Sequence, residues 1–373
     1  MKKQIIRRMF SKEPVLCCAA VLAACSMLLV RPSAAYAAYI DLRTLVLLFC
    51  LMTVVAGLNG QGVFAALAQR LLRRFHTHRR LTLFFVALCF FSSMFITNDV
   101  ALLTFVPFSF MVLRMCDRAD SWIVVTVLET VAANLGSMLT PIGNPQNLYL
   151  YSLYRLKLGQ FFGAVLPYLG LSLLLLIAAC LFFTRHDYAI ILPYRGAAAP
   201  LRRGFKLTGY LLLFLLCISA VLRLTPYPIV FGIVVVFVLL FDFRTLKKVD
   251  YSLLATFLSL FILVGNISSL PAVAHWLSNV VGGHEIVTAV ALSQVISNVP
   301  AAILLSGFTD NYASLLVGVN LGGLGTLIAS MASLISYRIY VRETGGGHKA
   351  YLICFTLINV TFLALLLCFA LLI

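Results

Sequence analysis

Two polar segments recur at a fixed distance inside an otherwise apolar chain, and their residue types suit the binding of small ions. Asn134, Leu135, Gly136 and Thr140 reappear as Asn320, Leu321, Gly322 and Thr326, each 186 positions later. Upstream of each copy lies a second paired element, Thr97-Asn98-Asp99 in the first half and Ser297-Asn298 in the second. Pro141 and Pro145 forbid a continuous helix through the first copy, because each removes a backbone donor and clashes with the preceding turn. The break frees carbonyls at the end of one half-helix, which suit a small cation. It also frees amides at the start of the next, where the helix dipole favours an anion. Broken, polar segments repeated in two apolar halves point to the binding site of a carrier.

The elements that must hold these groups are membrane helices. Hydrophobic residues make up 62% of the 373 residues, charged residues only 11%, and mean hydropathy is +1.04. Soluble domains carry about a quarter charged residues. The net charge of +16 does not mark a nucleic-acid binder, because the basic residues fall in short clusters between apolar stretches of membrane-spanning length. Ten cysteines are scattered with no CxxC spacing, which predicts small core residues and no metal or redox centre. The chain starts with a basic run followed by an apolar stretch, which resembles a cleaved leader. The reading adopted is an uncleaved first span over about 14–31.

Lysine and arginine set the topology. With the N-terminus in the cytoplasm, the model that fits places all but five of the 28 basic residues there. The exceptions are Arg31, Arg43, Arg155, Lys157 and Arg223. This requires a re-entrant hairpin over about 81–113, because both of its ends are basic while its middle, at Thr97-Asn98-Asp99, is polar. The predicted fold is an all-α polytopic membrane protein of inverted repeats, with two re-entrant hairpins and two broken helices. Residues 1–40 hold the N-terminal segment and first span. Residues 41–184 form the first repeat, with its broken helix at about 121–156, and 185–206 a basic cytoplasmic linker. Residues 207–373 hold connecting spans and the second repeat, with a hairpin at about 284–309 and a broken helix at about 313–337.

Only Asp99 and Glu129 among twelve acidic residues fall well within the membrane on this map. An intramembrane carboxylate is a functional candidate by default, so Asp99 is expected to ligate sodium or carry a proton. Glu129 lies near a predicted helix start, where pairing with a cytoplasmic arginine would account for it. Asn98, Asp99 and Asn298 can also serve as N-caps of the returning arms, and capping is compatible with ligand contact. No basic side chain is placed within the membrane, so neutral donors and helix dipoles would have to bind an anion. His275 and His284 flank the second hairpin and are expected to be structural or exposed.

The segments Phe95 to Ala101, Leu139 to Asn147 and Gln294 to Pro300 resemble the signatures of the ion-transporter superfamily, above all its citrate transporter-like and arsenite permease-like inner-membrane proteins. Divalent-anion/sodium symporters and sodium/proton antiporters are related groups. The resemblance spans most of the chain. It implies a homodimer with a scaffold part and a moving transport part, in lipid, without cofactor or nucleic acid. It implies substrate contacts from Thr97, Asn98, Ser297 and Asn298. It implies coupling-ion contacts, with Na+ or H+ as the ion, from Asp99, Thr140, Asn144, Asn147, Thr326 and Ser330. Leu327, Met331 and Ser333 stand where the first copy has Pro141, Pro145 and Asn147, so one coupling ion is expected, not two.

The sequence therefore predicts a secondary active transporter of a small anion, a carboxylate such as citrate or an oxyanion, in a bacterial inner membrane and coupled to Na+ or H+ by alternating access. A Na+/H+ antiporter or an arsenite-type efflux permease is the alternative. No GxxxxGK[ST] motif supplies an ATP motor, and no GxSxG segment or aspartyl pair suggests a hydrolase, so no enzymatic activity is expected.

Overall fold

In the computed structural model, residues 14–34, 36–72, 77–116, 118–189 and 204–373 are described. These residues hold no strand, only an isolated bridge between Thr77 and Ala189. Seven helices among them are long and apolar enough to cross a membrane. The protein is an all-α, multi-pass membrane protein. Helices are what an apolar chain must form in lipid, because every backbone donor and acceptor has to be satisfied within the segment.

The same order of elements occurs twice. The first set is Leu42–Gly60, Val63–Leu72, His78–Ile96, Asn98–Met115, Trp122–Gly136, Pro145–Leu153 and Leu158–Phe183. The second is Tyr251–Ser268, Pro271–Val281, Glu285–Ile296, Asn298–Ser306, Tyr312–Leu321, Met331–Thr344 and His348–Leu372. Each set opens with an aspartate cap that uses up an otherwise orphaned helix amide. Asp41 accepts from the Thr44 amide at 3.1 Å and Asp250 from the Leu253 amide at 2.9 Å. The remaining long helices attach to these two openers. Pro14–Leu29 packs on Tyr251–Ser268, and Phe205–Val221 and Tyr227–Phe241 pack on Leu42–Gly60.

In each set two helices fold back on one another at a single residue, Thr97 in the first and Ser297 in the second. The arms differ in length. Those around Thr97 have 19 and 18 residues, roughly 28 Å each at 1.5 Å per residue, whereas those around Ser297 have 12 and 9. The first pair could cross a hydrocarbon core of about 30 Å and the second could not. In both cases the outer ends of a pair lie on one side.

Each set then contains a helix that stops and restarts. Trp122–Gly136 runs into a short 3-10 turn, Ser137–Leu139, and resumes at Pro145; Tyr312–Leu321 stops and resumes at Met331. Of the seven long segments, Ala119–Leu139 is the most enclosed, while Leu158–Phe183 and His348–Leu372 expose most of their surface. That gradient puts the broken helices at the centre and apolar helices against lipid. Lipid tails are as apolar as leucine, so close packing and interhelical hydrogen bonds hold the centre together.

Candidate functional site

The two fold-back residues have nearly the same unusual backbone. Thr97 lies at φ 69°, ψ 149° and Ser297 at φ 77°, ψ 154°. Positive φ is rare outside glycine, and a β-branched residue there is strained. These residues, and not the asparagines that follow them, occupy the cap positions. Neither makes a side-chain cap hydrogen bond. Asn98 and Asn298 are the first residues of their helices, which corrects the reading of them as N-caps. The Asn98 carboxamide oxygen accepts from the Asp99 amide at 3.0 Å.

Each tip is tied to its own break in the same register. The Asn98 amide donates to Gly143 O at 3.1 Å and the Asn298 amide to Ala329 O at 2.9 Å; Gly143 and Ala329 are 186 apart, like the repeated motif. The Thr140 hydroxyl donates to Met94 O, and the Thr326 hydroxyl to Gln294 O at 3.1 Å. Met94 and Gln294 are 200 apart, as are the tip residues Thr97 and Ser297.

Two asparagines join the halves. Asn134 Oδ1 accepts from Asn98 Nδ2 at 3.1 Å and from the Ser330 hydroxyl at 3.0 Å. Asn134 Nδ2 reaches Gly323 O and the Ser333 hydroxyl, each at 3.4 Å. Its counterpart Asn320 accepts from Asn144 Nδ2 at 3.1 Å and donates to Asn147 Oδ1 at 2.7 Å. Asn98, Asn144, Asn147 and Ser330 thus belong to one buried network spanning both halves. In an apolar interior such a network fixes its members strongly, because any unpaired group is costly.

The breaks have different causes and the same remedy. In the first, Pro145 starts the new half-helix behind an Asn144 cap that accepts from the Asn147 amide at 2.9 Å. Asn147 Nδ2 then reaches the freed carbonyls of Ser137, Met138 and Thr140 at 3.2 to 3.3 Å. The second break lacks both prolines; the chain turns instead through Gly325 at φ 101°. There Gln294 does the work that Ser333 is too short to do. Its Nε2 reaches Gly322 O at 3.2 Å and Leu324 O at 3.0 Å, and its Oε1 accepts from the Thr326 amide at 2.8 Å. A Cβ on Gly325 would overlap that carboxamide.

A cavity of about 160 Å³ opens beside the first tip. Thr97, Asp99 and Asn144 line it, together with Lys248 and Asp250 from the segment preceding Tyr251–Ser268. One carboxylate oxygen of Asp99, Oδ1, is buried without a hydrogen-bond partner among the described residues. Lys248, which belongs to a basic cluster that the sequence places on the cytoplasmic side, is exposed and lines the same cavity. Ser297 and Asn298 are buried in the second tip and do not line this cavity, and Thr326 is exposed beside Gln294. Sequence reasoning gave no site role to Asn134, Asn320, Gln294, Lys248 or Asp250. The first two carry a signal, the strict 186 offset; the others become visible only when the segments meet.

Glu129 departs from its expected pairing. It lies mid-helix, fully buried, with no arginine partner among the described residues; the Ser109 hydroxyl donates to it at 2.9 Å and the Cys89 thiol at 3.9 Å. Both partners come from the arms of the first hairpin, so Glu129 ties that hairpin to the first broken helix. His275 and His284 are exposed.

Comparison with known proteins places this architecture. A family model described as citrate transporter matches residues 9–316. The inner membrane protein YbiR of Escherichia coli is 36% identical over 311 residues, covering 81% of each chain. The uncharacterized transporter MJ0456 of Methanocaldococcus jannaschii is 30% identical over 302 residues, 80% of this chain and 81% of its own. A silicon efflux transporter of rice, LSI3, is 30% identical over 167 residues, 44% of this chain and 34% of its own.

Proposed function

We propose that this chain, which belongs to the citrate transporter family, is a secondary active carrier that moves a small anion by alternating access, coupled to Na+ or H+. Membrane transport follows from the family; the anion, the coupling ion and the direction are the proposal. The observation that carries it is the paired stitching of tip to break, Asn98 to Gly143 and Asn298 to Ala329. Such a matched pair gives a carrier two equivalent half-sites, one from each half of the chain.

The chemistry of the first half-site supports an anion beside a cation. The positive end of the helix Asn98–Met115 lies at this tip, where its dipole favours negative charge, although its first two amides are taken by Gly143 O and Asn98 Oδ1. Thr97 adds a neutral donor and Lys248 a positive charge at the cavity, while Asn144, whose Nδ2 is committed to Ser137 and Asn320, shapes its wall. The unpartnered Asp99 oxygen is suited to a sodium ion or a proton. Asn147 has its carboxamide committed to the break carbonyls and to Asn320, so its contribution is to hold ion ligands in place. In this proposal Ser297, Asn298, Thr326 and Ser330 serve the second half-site. The chain forms a homodimer in the bacterial inner membrane with its N-terminus in the cytoplasm.

A second reading, sodium/proton exchange, is favoured by the same Asp99 oxygen. An arsenite-type efflux role stays within the same architecture. Purified protein in sealed liposomes, screened with labelled carboxylates and oxyanions under imposed sodium or proton gradients, separates them. The proposal expects saturable anion uptake that requires one of the gradients. Sodium/proton exchange indifferent to every anion would replace it with the antiporter reading.

A further inference from the structure

A second polar cavity, of about 240 Å³, lies away from the tips, where the start of His78–Ile96, the start of the first broken helix and the end of Leu158–Phe183 meet. Among the described residues, three buried polar atoms of its lining have no hydrogen-bond partner: His78 Nδ1, Thr82 Oγ1 and Arg118 Nε. His78 is 4% exposed and Thr82 0%. Leaving a buried polar group without a partner is destabilising. Three such groups at one cavity mark a place shaped for something that accepts hydrogen bonds.

The surroundings hold these groups in position. The other nitrogen of His78, Nε2, is 3.1 Å from the Ser121 hydroxyl. The Arg118 guanidinium is fixed twice, by Asp120 at 2.9 Å through Nη2 and by stacking 4.8 Å above the Tyr188 ring. Its Nε is the buried donor that those contacts leave without a partner. A strap over residues 184–189 lines one side of the cavity through Thr184, His186 and Tyr188. Tyr188 O accepts from the His78 amide at 3.0 Å, and Arg79 donates to Thr184 O and Arg185 O at 3.2 Å. Asp187, which accepts from the Arg79 amide at 2.9 Å, is pushed up by burial, yet the Arg79 amide, the Thr77 hydroxyl and the Arg79 charge hold it below the usual carboxylate range.

Chemistry selects the ligand class. Arg118 Nε can only donate, Thr82 can donate, and His78 Nδ1 can donate when it carries the proton. Arg79 and Arg185 add positive charge around the strap, against Asp120 and Asp187. We propose that this cavity binds a small inorganic oxyanion, with Arg118, Thr82 and His78 as its donors. Its occupancy fastens the strap to the hairpin and to the broken helix. The site is separate from the tip cavity and shares no residue with it.

The test is thermal unfolding of the purified full-length protein in detergent, titrated with inorganic phosphate and with sulfate against chloride at matched ionic strength. The proposal expects a saturable rise in melting temperature with the oxyanions alone. Its half-saturation concentration should rise at least tenfold in Thr82→Val, which keeps the shape and removes the hydroxyl, and in Arg118→Gln. It should be unchanged in Asn98→Ala. Thr82→Val should still fold and transport, so loss of the oxyanion effect in it is not a folding failure. No rise beyond chloride would overturn the proposal and leave the cavity to water, which also accepts hydrogen bonds. A rise abolished by Asn98→Ala but kept in Thr82→Val would also overturn it, by placing the anion at the tip.

Discussion

Thr97 and Ser297 hold a backbone conformation that glycine would adopt freely, at a cost of order 1–3 kcal/mol each. Thr97→Gly should therefore raise the stability of the detergent-solubilised protein by about 1 kcal/mol while weakening anion uptake, because it removes the strain and a hydroxyl of the cavity together. A variant that lost both stability and uptake would show that the threonine is chiefly structural. Lys248 belongs to the same scale. If it attracts the anion, Lys248→Ala should raise KM about tenfold with little change in kcat, an effect that shrinks as salt is added. At this scale much of the site was legible in the sequence. Thr97, Asn98 and Asp99 announce themselves as polar groups in an apolar run, and Thr97, Asp99 and Asn144 do line one cavity. Lys248 and Gln294 were not legible. One sits in a cluster that reads as topology, and the other is a single polar residue whose carbonyl partners lie 28 and 30 positions away.

The elements show how a repeat can diverge in residues and keep its shape. Prolines break the first helix and asparagine gathers its carbonyls; glycine turns the second and a glutamine from the neighbouring arm gathers them. Loss of Pro141, Pro145 and Asn147 from the second copy thus left the break intact, which the sequence alone could not show because Gln294 acts from a different element. Gly325→Ala meets both a left-handed backbone and the pinned Gln294 carboxamide, so it should cost about 1–3 kcal/mol of stability, read as a fall in melting temperature. Asn134→Ala should cost a similar amount, about 1–3 kcal/mol, because it strands Asn98 Nδ2 and the Ser330 hydroxyl. Wild-type stability in either variant would mean that the breaks and the network do not hold the centre.

At the scale of the molecule, two sets of elements in the same order surround a centre made of polar contacts, with apolar helices outermost. Composition and basic clusters were enough to read an all-α, multi-pass protein. Topology itself has a direct check. Single cysteines at positions 80 and 114 in a cysteine-depleted background should be labelled by a membrane-impermeant thiol reagent from the same side, the cytoplasmic one; labelling from opposite sides would remove the hairpin. In the proposed mechanism the first tip carries both the anion and the coupling ion. The measurement that meets it most directly is initial uptake of the transported anion into liposomes under an imposed gradient, compared among wild type, Asn98→Ala and Asp99→Asn. Wild type should show saturable, gradient-driven uptake, and both variants at least a tenfold loss. Uptake that survives both substitutions with its gradient dependence intact would contradict it.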